Sequence, residues 1–157
     1  MASPKSLSRS PPSAVTAATI VSSLLTVQTS GRGFTDLTAE IAKFADEARA
    51  KQGAVTAFIR HTSASLTIQE NADPSVLADL ATALDRLAPE NAGWRHDSEG
   101  PDDMPAHVKT MLTATSLQIP VLAGELALGT WQAIYLIEHR ARPHAREIVL
   151  QFIGTTG

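Results

Sequence analysis

The sequence predicts an α+β domain with a largely antiparallel sheet. Predicted strands occur in pairs along the chain, and two longer helical segments and one short one separate the pairs. The pattern does not show the regular succession of strand, helix and strand that would favour a Rossmann or barrel fold. The 157 residues are enough for one domain with its own core.

The N-terminal segment, residues 1–13, is rich in Ser and Pro and has few apolar groups to bury, so we predict a disordered tail there and a single domain over residues 14–157. Lys5 and Arg9 precede a fairly apolar stretch, which loosely resembles a signal peptide. Hydroxyl residues interrupt that stretch and favour one long strand or two short strands over residues 15–28. No apolar run reaches the roughly 18–20 residues that cross a bilayer, and we expect no membrane association.

Three segments carry helix signals. Asp36 is the predicted N-cap of the first helix, whose apolar positions over residues 37–48 share one face, and Gly53 is predicted to end that unit. The pair Asp73-Pro74 starts the second helix, because Asp is a favoured cap and Pro suits the first helical position. Pro105 is predicted to open the third and shortest helix.

The remaining apolar segments are predicted strands, because apolar and polar residues alternate in them or because β-branched residues are frequent. These strands cover residues 54–60, 66–70, 117–121, 125–128, 131–138 and 147–153. The segment over residues 91–104 has no useful periodicity and is predicted to be a loop.

The composition limits the chemistry of the chain. It contains no cysteine, which excludes disulfides, Cys-based zinc sites, iron–sulfur clusters and thiol nucleophiles, and leaves His, Asp and Glu as metal ligands. The absence of cysteine also fits a reducing compartment, and we expect a cytoplasmic protein. The formal net charge of −3 argues against a nucleic-acid surface. Glycine-rich phosphate loops, the serine nucleophile elbow and the HExxH zinc motif are all missing.

The polar segment Trp94–Lys109 is the first candidate site. It holds His96, His107 and four carboxylates, Asp103 among them, and it leads into a predicted helix N-terminus, where free backbone N–H groups favour anions. A plain solvated acidic loop would have a similar composition. The stiff prolines and the apolar residues that bracket the charges favour a packed, functional loop instead.

His61, at the end of a predicted strand, is the second candidate. A lone histidine in such a place is more often an ordinary core or surface group. If His61 met His96 and His107 in space, three imidazoles with an open position would suit zinc, whereas magnesium prefers oxygen ligands. The spacing alone does not show that the three converge. Ser63 also invites a Ser–His interpretation, but no orienting acid or oxyanion hole accompanies it.

The third candidate lies on the strand that begins at Trp131 and on the residues after it. Gln132, Glu138 and Arg140 share a face and can line one pocket, where Arg140 could hold a phosphate through two hydrogen bonds. The alternative is that Trp131 packs in the core while Glu138 and Arg140 form an ion pair at the strand end. His139 points the other way and receives no predicted role.

Four runs of residues together resemble the YjbQ-like family, also called the secondary thiamine-phosphate synthase family. They are HTSASLTIQENADPSV at 61–76, HDSEGPDDMPAHVKT at 96–110, GTWQAIYLIEHR at 129–140 and REI at 146–148. The resemblance covers nearly the whole predicted domain, and DDMPAH followed by GTWQ is specific. Ala133 stands where the family often has Gly.

The resemblance implies two packed sheets and a homotrimer. It also implies a metal site made of His61, His96 and His107. The activity attached to the family joins a pyrimidine pyrophosphate to a thiazole phosphate and gives thiamine phosphate and pyrophosphate. The family name marks this activity as secondary, which leaves the physiological reaction open.

We therefore expect an enzyme that acts on phosphorylated small molecules with a divalent metal, zinc being the first choice, held by the three histidines. Lys109, Arg140 and the helix N-terminus would neutralise the leaving charge. Glu138 or Asp103 would orient a ligand histidine or act as base. Neutral hydrogen bonds would come from Ser63, Thr130 and Gln132. Two other classes stay open: a binding module without turnover, and a structural trimer whose histidines pack between subunits.

Overall fold

The computed structural model describes residues 8–157, which form eight strands and three helices. The strands are β1 (Thr19–Gln28), β2 (Gly33–Asp36), β3 (Ala50–Ile59), β4 (Ala64–Glu70), β5 (Ser116–Leu122), β6 (Glu125–Leu126), β7 (Gln132–Glu138) and β8 (Ala145–Thr156). The helices are α1 (Thr38–Glu47), α2 (Pro74–Leu87) and α3 (Asp103–Leu112). Of the predicted tail, residues 8–13 are exposed and belong to no helix or strand, and residues 1–7 lie outside the described part.

The strands form two antiparallel sheets, which confirms the predicted α+β class. The larger sheet has the order β1-β8-β3-β5-β6, and the smaller has the order β2-β7-β4. Central strand β7 is buried at every position from Ala133 to Glu138. Because other elements cover both faces of this strand, the alternation of its residues does not separate a buried side from a solvent side.

One hydrophobic core joins the two sheets and α1. Ile41 and Phe44 of α1 belong to the same cluster of buried side chains as Val55 of β3, Phe152 of β8 and Leu136 of β7. The predicted apolar face of the first helix is therefore its buried face.

Helix α2 begins as predicted, because Asp73 accepts a hydrogen bond from the backbone N–H of Ser75 at 2.8 Å and Pro74 is the first helical residue. None of its residues is fully buried. Leu77, Leu80 and Leu84 of its apolar stripe are half-buried and Leu87 is exposed, so the helix rests on the surface of the domain. Over residues 8–157, no helix is both long and apolar enough to cross a bilayer.

The predictions for the third helix and for Gly53 were wrong. Helix α3 begins at Asp103, two residues before Pro105, and is as long as α1, with ten residues in each. Strand β3 begins at Ala50, so Gly53 lies inside a strand and does not end a helical unit. The reason for a glycine there is a close approach of β8: a Cβ atom on Gly53 would lie 2.2 Å from the carbonyl oxygen of Ile153.

Candidate metal centre

His96, Asp103 and His107 converge at the N-terminal end of α3. One nitrogen or oxygen atom from each of them lies within 4.8 Å of the others. Nε2 of His96 is 2.8 Å from Oδ2 of Asp103, and Nε2 of His107 is 3.6 Å from the same oxygen. Asp103 and His107 are one helical turn apart on α3, and His96 approaches from the preceding loop. Two of the three predicted histidine ligands are thus brought together, with Asp103 beside them.

The hydrogen bonds of His107 define which of its nitrogens faces this group. Its Nδ1 lies 2.8 Å from the carbonyl oxygen of Thr62. A carbonyl oxygen only accepts, so we assign the ring proton to Nδ1. The lone pair of Nε2 is then free and is directed toward Asp103. A histidine that donates its other N–H to a backbone carbonyl is the usual arrangement of a metal ligand.

Arg140 fixes the position of Asp103. The guanidinium donates to Oδ1 of Asp103, to Oδ2 of Asp102 at 3.2 Å and to the carbonyl oxygen of Glu99 at 2.8 Å. Oδ2 of Asp103 remains on the side of the two histidines. The role predicted for Arg140, binding a substrate phosphate, therefore does not agree with the structure, because its donors hold the loop that carries Asp103.

Asp102 completes this loop and was missed in the sequence. Burial raises the pKa of its carboxyl, but hydrogen bonds from the backbone N–H of Ala141 and from Arg140 outweigh burial and leave the pKa below its ordinary value. The only signal in the sequence was its place next to Asp103.

His61 lies outside the group of converging side chains. Its Nε2 accepts a hydrogen bond from the backbone N–H of Glu147 at 2.8 Å, which assigns the ring proton to Nδ1. Burial, and then the Arg146 guanidinium, lower the pKa of His61, so the ring is neutral at pH 7. The lone pair of Nε2 is therefore occupied, and Nδ1 lies 3.5 Å from the Arg146 guanidinium, a cation that disfavours a metal there. The predicted set of three histidines is not formed within this chain, and Asp103 stands in the third place.

An open pocket surrounds His61 and adjoins the converging group through Thr62, whose carbonyl binds His107. Its volume is about 480 Å³. The lining residues come from β3, the β3–β4 turn, the start of β5 and β8: Phe58, Ile59, Arg60, His61, Thr62, Ser63, Thr115 and Arg146. Ser63, a predicted hydrogen-bonding residue, lies in this pocket, and we call it the His61 pocket.

Glu138 forms a buried ion pair with Arg146, which was missed as a site residue although the run REI includes it. Arg146 donates to both carboxylate oxygens, at 2.5 and 2.7 Å, and also to Oγ of Ser63 at 3.1 Å. Thr29 Oγ1 and the Arg140 backbone N–H donate to the same carboxylate, at 2.9 and 3.0 Å.

These four hydrogen bonds decide the charge of Glu138. Burial raises its pKa, but the bonds from Arg146, the Arg140 N–H and Thr29 outweigh burial and hold the pKa below its ordinary value. A carboxylate whose oxygens are all engaged is a poor base. Glu138 therefore positions Arg146 and the turn after β7, and the predicted role as catalytic base does not fit its surroundings.

Three other predicted residues lie away from the converging group. Lys109 is buried and pairs with Asp85 of α2 at 2.5 Å. Gln132 uses its side-chain oxygen to accept the Gly129 N–H at 2.8 Å, and it shares the exposed start of β7 with Thr130. Six residue steps along a strand separate Gln132 from Glu138, which is roughly 20 Å.

The face shared by Gln132 and Glu138 was therefore predicted correctly, but the two side chains lie at opposite ends of the strand. The alternative that placed Trp131 in the core was wrong, because this side chain is 64% exposed.

His139, which received no predicted role, is buried beside Ser65. Its Nε2 lies 2.8 Å from the hydroxyl oxygen of Ser65. Burial, and then the Lys109 ammonium, lower the pKa of His139 to about 4, so the ring is neutral at pH 7. The role of this residue was missed because, on a strand with one exposed face, the alternation of side chains would have placed His139 toward solvent.

The buried neutral state of His139 predicts a loss of stability in mild acid. His139 takes up a proton near pH 6.5 in the unfolded chain and only near pH 4 in the folded chain. Stability is therefore complete above pH 6.5 and falls as the pH drops toward 4, by about 2 kcal/mol between pH 7 and pH 5. Urea unfolding at both pH values measures this difference. His139→Gln should show a smaller one, and an equal fall in the variant would contradict the assignment.

Most of the chain matches one protein family. The family model described as "UPF0047 protein YjbQ-like" matches residues 23–155. The chain belongs to this family. The UPF0047 relatives include one from Synechocystis, 48% identical over 132 residues that cover 83% of this chain and 90% of the relative. The YjbQ protein of Escherichia coli O157:H7 is 43% identical over 131 residues, with 83% and 95% covered.

Two solved structures support the same fold. A YjbQ/UPF0047 family protein of Clostridium acetobutylicum has 36% identity and a TM-score of 0.77, and the match covers 82% of this chain and 98% of that one. A hypothetical protein of Aeropyrum pernix has 26% identity and a TM-score of 0.79, with 86% and 99% covered. The first of these proteins is described as uncharacterized and the second as hypothetical. They support the predicted YjbQ-like family and fold, and they assign no reaction.

Proposed function

We propose that this UPF0047 protein is a metal-dependent enzyme that acts on phosphorylated small molecules, with the metal held by His96, Asp103 and His107. The observation that carries the proposal is the convergence of these three side chains, with Nδ1 of His107 at 2.8 Å from the Thr62 carbonyl oxygen. The Nδ1–H of His107 is committed to this backbone carbonyl, so that the free lone pair of Nε2 faces the buried carboxylate of Asp103.

The donor atoms suit a small divalent cation. With metal–ligand bonds of about 2.0–2.1 Å, neighbouring ligand atoms of a tetrahedral site are roughly 3.3 Å apart. The separations of 2.8 and 3.6 Å from Asp103 to the two histidines bracket that value. Two imidazoles and one carboxylate are a frequent catalytic zinc set, and zinc is the metal that we propose.

Three protein ligands leave a position for a substrate oxygen or water. His96 and His107 are partly exposed, with side-chain exposures of 50% and 31%, so a substrate can reach the group from solvent. A bound metal would supply Lewis-acid polarisation of a phosphate oxygen. In the His61 pocket, the exposed Arg60 guanidinium would donate hydrogen bonds to the rest of a phosphorylated substrate.

Elemental analysis of protein purified without chelator tests the metal. We expect about one zinc ion per chain in the wild type and at least a tenfold lower affinity in His107→Ala, because the variant loses one of three ligands. His144→Ala, a histidine outside the group, is the matched control and should keep its metal. Full metal content in His107→Ala would contradict the assignment of His107 as a metal ligand.

A panel of phosphate esters and pyrophosphates tests the reaction, and a pyrimidine pyrophosphate with a thiazole phosphate is its first member. This pair is included because the family resemblance implies thiamine-phosphate synthase as a secondary activity. Product that forms with metal and disappears on chelation supports the enzyme. Product whose rate does not depend on metal would contradict it.

The second candidate function is a binding module without turnover. The saturation of Glu138 and Arg140 by internal hydrogen bonds favours it, because few groups remain to move a proton. Such a module would melt at a higher temperature with metal or with a phosphorylated ligand but would release no product.

We also propose the homotrimer that the family resemblance implies. The outer face of the larger sheet exposes apolar side chains on four strands, Ile20, Leu24, Phe58, Leu122 and Ile153. An apolar face of this kind is typical of a subunit interface. Light scattering should give three times the chain mass of 16.6 kDa. Ile20→Asp should lower the mass to that of one chain, and Leu87→Asp on α2 should not. A wild type that is monomeric at micromolar concentration would refute the proposal.

A further inference from the structure

A second pocket lies between α2, α3 and the smaller sheet, and we call it the α2 pocket. Its volume is about 100 Å³, and it shares no lining residue with the converging group or with the His61 pocket. Phe34, Leu84 and Ile137 give it an apolar wall, and its polar or charged lining residues are Lys109, His139, Asp85, Arg32 and Glu138. It is thus a site of its own, and the inference below does not rest on the proposed enzyme.

Lys109 places a buried positive charge at this pocket. The residue is 5% exposed, so its ammonium is largely removed from water and needs an anion nearby. Among the described residues its partner is Asp85, which reaches in from α2 and is itself largely exposed. Asp85 therefore pairs with the Lys109 ammonium from the rim of the pocket. The carboxylate of another molecule could take its place.

His139 adds a hydrogen-bond donor. Ser65 is fully buried, and among the described residues its hydroxyl has one side-chain partner, Nε2 of His139. We assign the hydroxyl proton to Nε2 and the ring proton to Nδ1, because the reverse arrangement would leave the buried hydroxyl proton of Ser65 without an acceptor.

No described residue bonds to that Nδ1, yet the described residues contain no fully buried side-chain nitrogen or oxygen without a partner. Nδ1 must therefore keep some accessible surface. Because His139 lines the α2 pocket, its free N–H faces that pocket.

We propose that the α2 pocket binds a small apolar carboxylate. One carboxylate oxygen accepts from the Lys109 ammonium and the other from Nδ1–H of His139, and the hydrocarbon body lies against Phe34, Leu84 and Ile137. A cavity of about 150 Å³ holds six carbon atoms, so this smaller but open pocket suits a ligand of about four carbons in all. A phosphate would leave one of its three oxygens without a donor.

Titration of the full chain with butyrate, followed by the amide NMR signals of the residues around the pocket, tests the proposal. We expect saturable binding of butyrate and none of butylamine, which has the same number of carbon atoms and the opposite charge. Asp85→Asn removes the competing carboxylate at a largely exposed position and should tighten butyrate binding about tenfold. Leu84→Trp should fill the pocket and abolish binding, as should Lys109→Met.

The proposal is overturned if Asp85→Asn binds no butyrate, if Leu84→Trp binds it as the wild type does, or if butylamine binds equally well. Asp85→Asn and Leu84→Trp do not touch the converging group, so their metal content should equal that of the wild type. Loss of butyrate binding with metal retained separates a failure here from a failure of the proposed enzyme.

Discussion

Replacing Glu138 by Ala is expected to lower the free energy of unfolding by about 3–5 kcal/mol. The substitution leaves the guanidinium of Arg146, whose side chain is 4% exposed, without its counter-charge. It also removes the acceptor for Thr29 and for the Arg140 N–H. Urea unfolding at pH 7 measures the change.

A double-mutant cycle separates this ion pair from ordinary packing. Glu138→Ala and Arg146→Ala should each be strongly destabilising, and the double variant should be less destabilised than the sum of the two, because it buries no unpaired charge. Strictly additive effects would show that the pair contributes no coupling. Glu138 also has a lowered pKa, so its contribution is present above its ordinary value of 4.5 and is lost as the pH falls through the folded-state value. This acid range lies below most of the His139 range.

Replacing Asp103 by Asn is expected to lower metal affinity by at least tenfold. The amide keeps the shape of the side chain but loses the negative charge that two histidines and Arg140 face. Asp97→Asn changes an exposed carboxylate of the same loop and is the matched control, with metal content near that of the wild type. Elemental analysis and competition with a chelator measure both variants. Wild-type affinity in Asp103→Asn would exclude the carboxylate as a ligand.

Asp103→Ala adds a second effect. The Arg140 guanidinium then loses its buried carboxylate partner, although the partly buried Asp102 remains. We expect a loss of about 2–3 kcal/mol in unfolding free energy, smaller than that of Glu138→Ala because one partner is kept. Asp103→Asn, which still accepts a hydrogen bond, should lose less.

Local chemistry predicted the elements better than the site. The Asp73–Pro74 start of α2 follows from capping alone, and the structure confirms it. The convergence of His96 and His107 follows from a stiff loop that leads into a helix. The direction of the His61 ring could not be predicted in this way. It depends on the backbone N–H of Glu147 on β8, which is distant in sequence and binds Nε2.

Strand periodicity failed at β7 for two physical reasons. It reports the face of a side chain but not its position along the strand, so Gln132 and Glu138 were placed in one pocket although they lie at opposite ends. It also assumes that one face meets solvent, whereas α2 and α3 lie beside His139. Lys109 was predicted to share the site of His107, two positions earlier on α3. Two positions along a helix put side chains on nearly opposite faces, and Lys109 pairs with Asp85 instead.

The shallow seating of α2 has a consequence for how the domain moves. A helix that buries no residue completely has little apolar area to hold it in place. It can therefore detach as a local unit while both sheets keep their hydrogen bonds, at a free energy well below that of global unfolding. Its backbone amides would exchange with deuterated water before those of β3 and β8. Since α2 carries Asp85 and Leu84, each such opening also uncovers Lys109, and a molecule bound beneath the helix would slow the exchange.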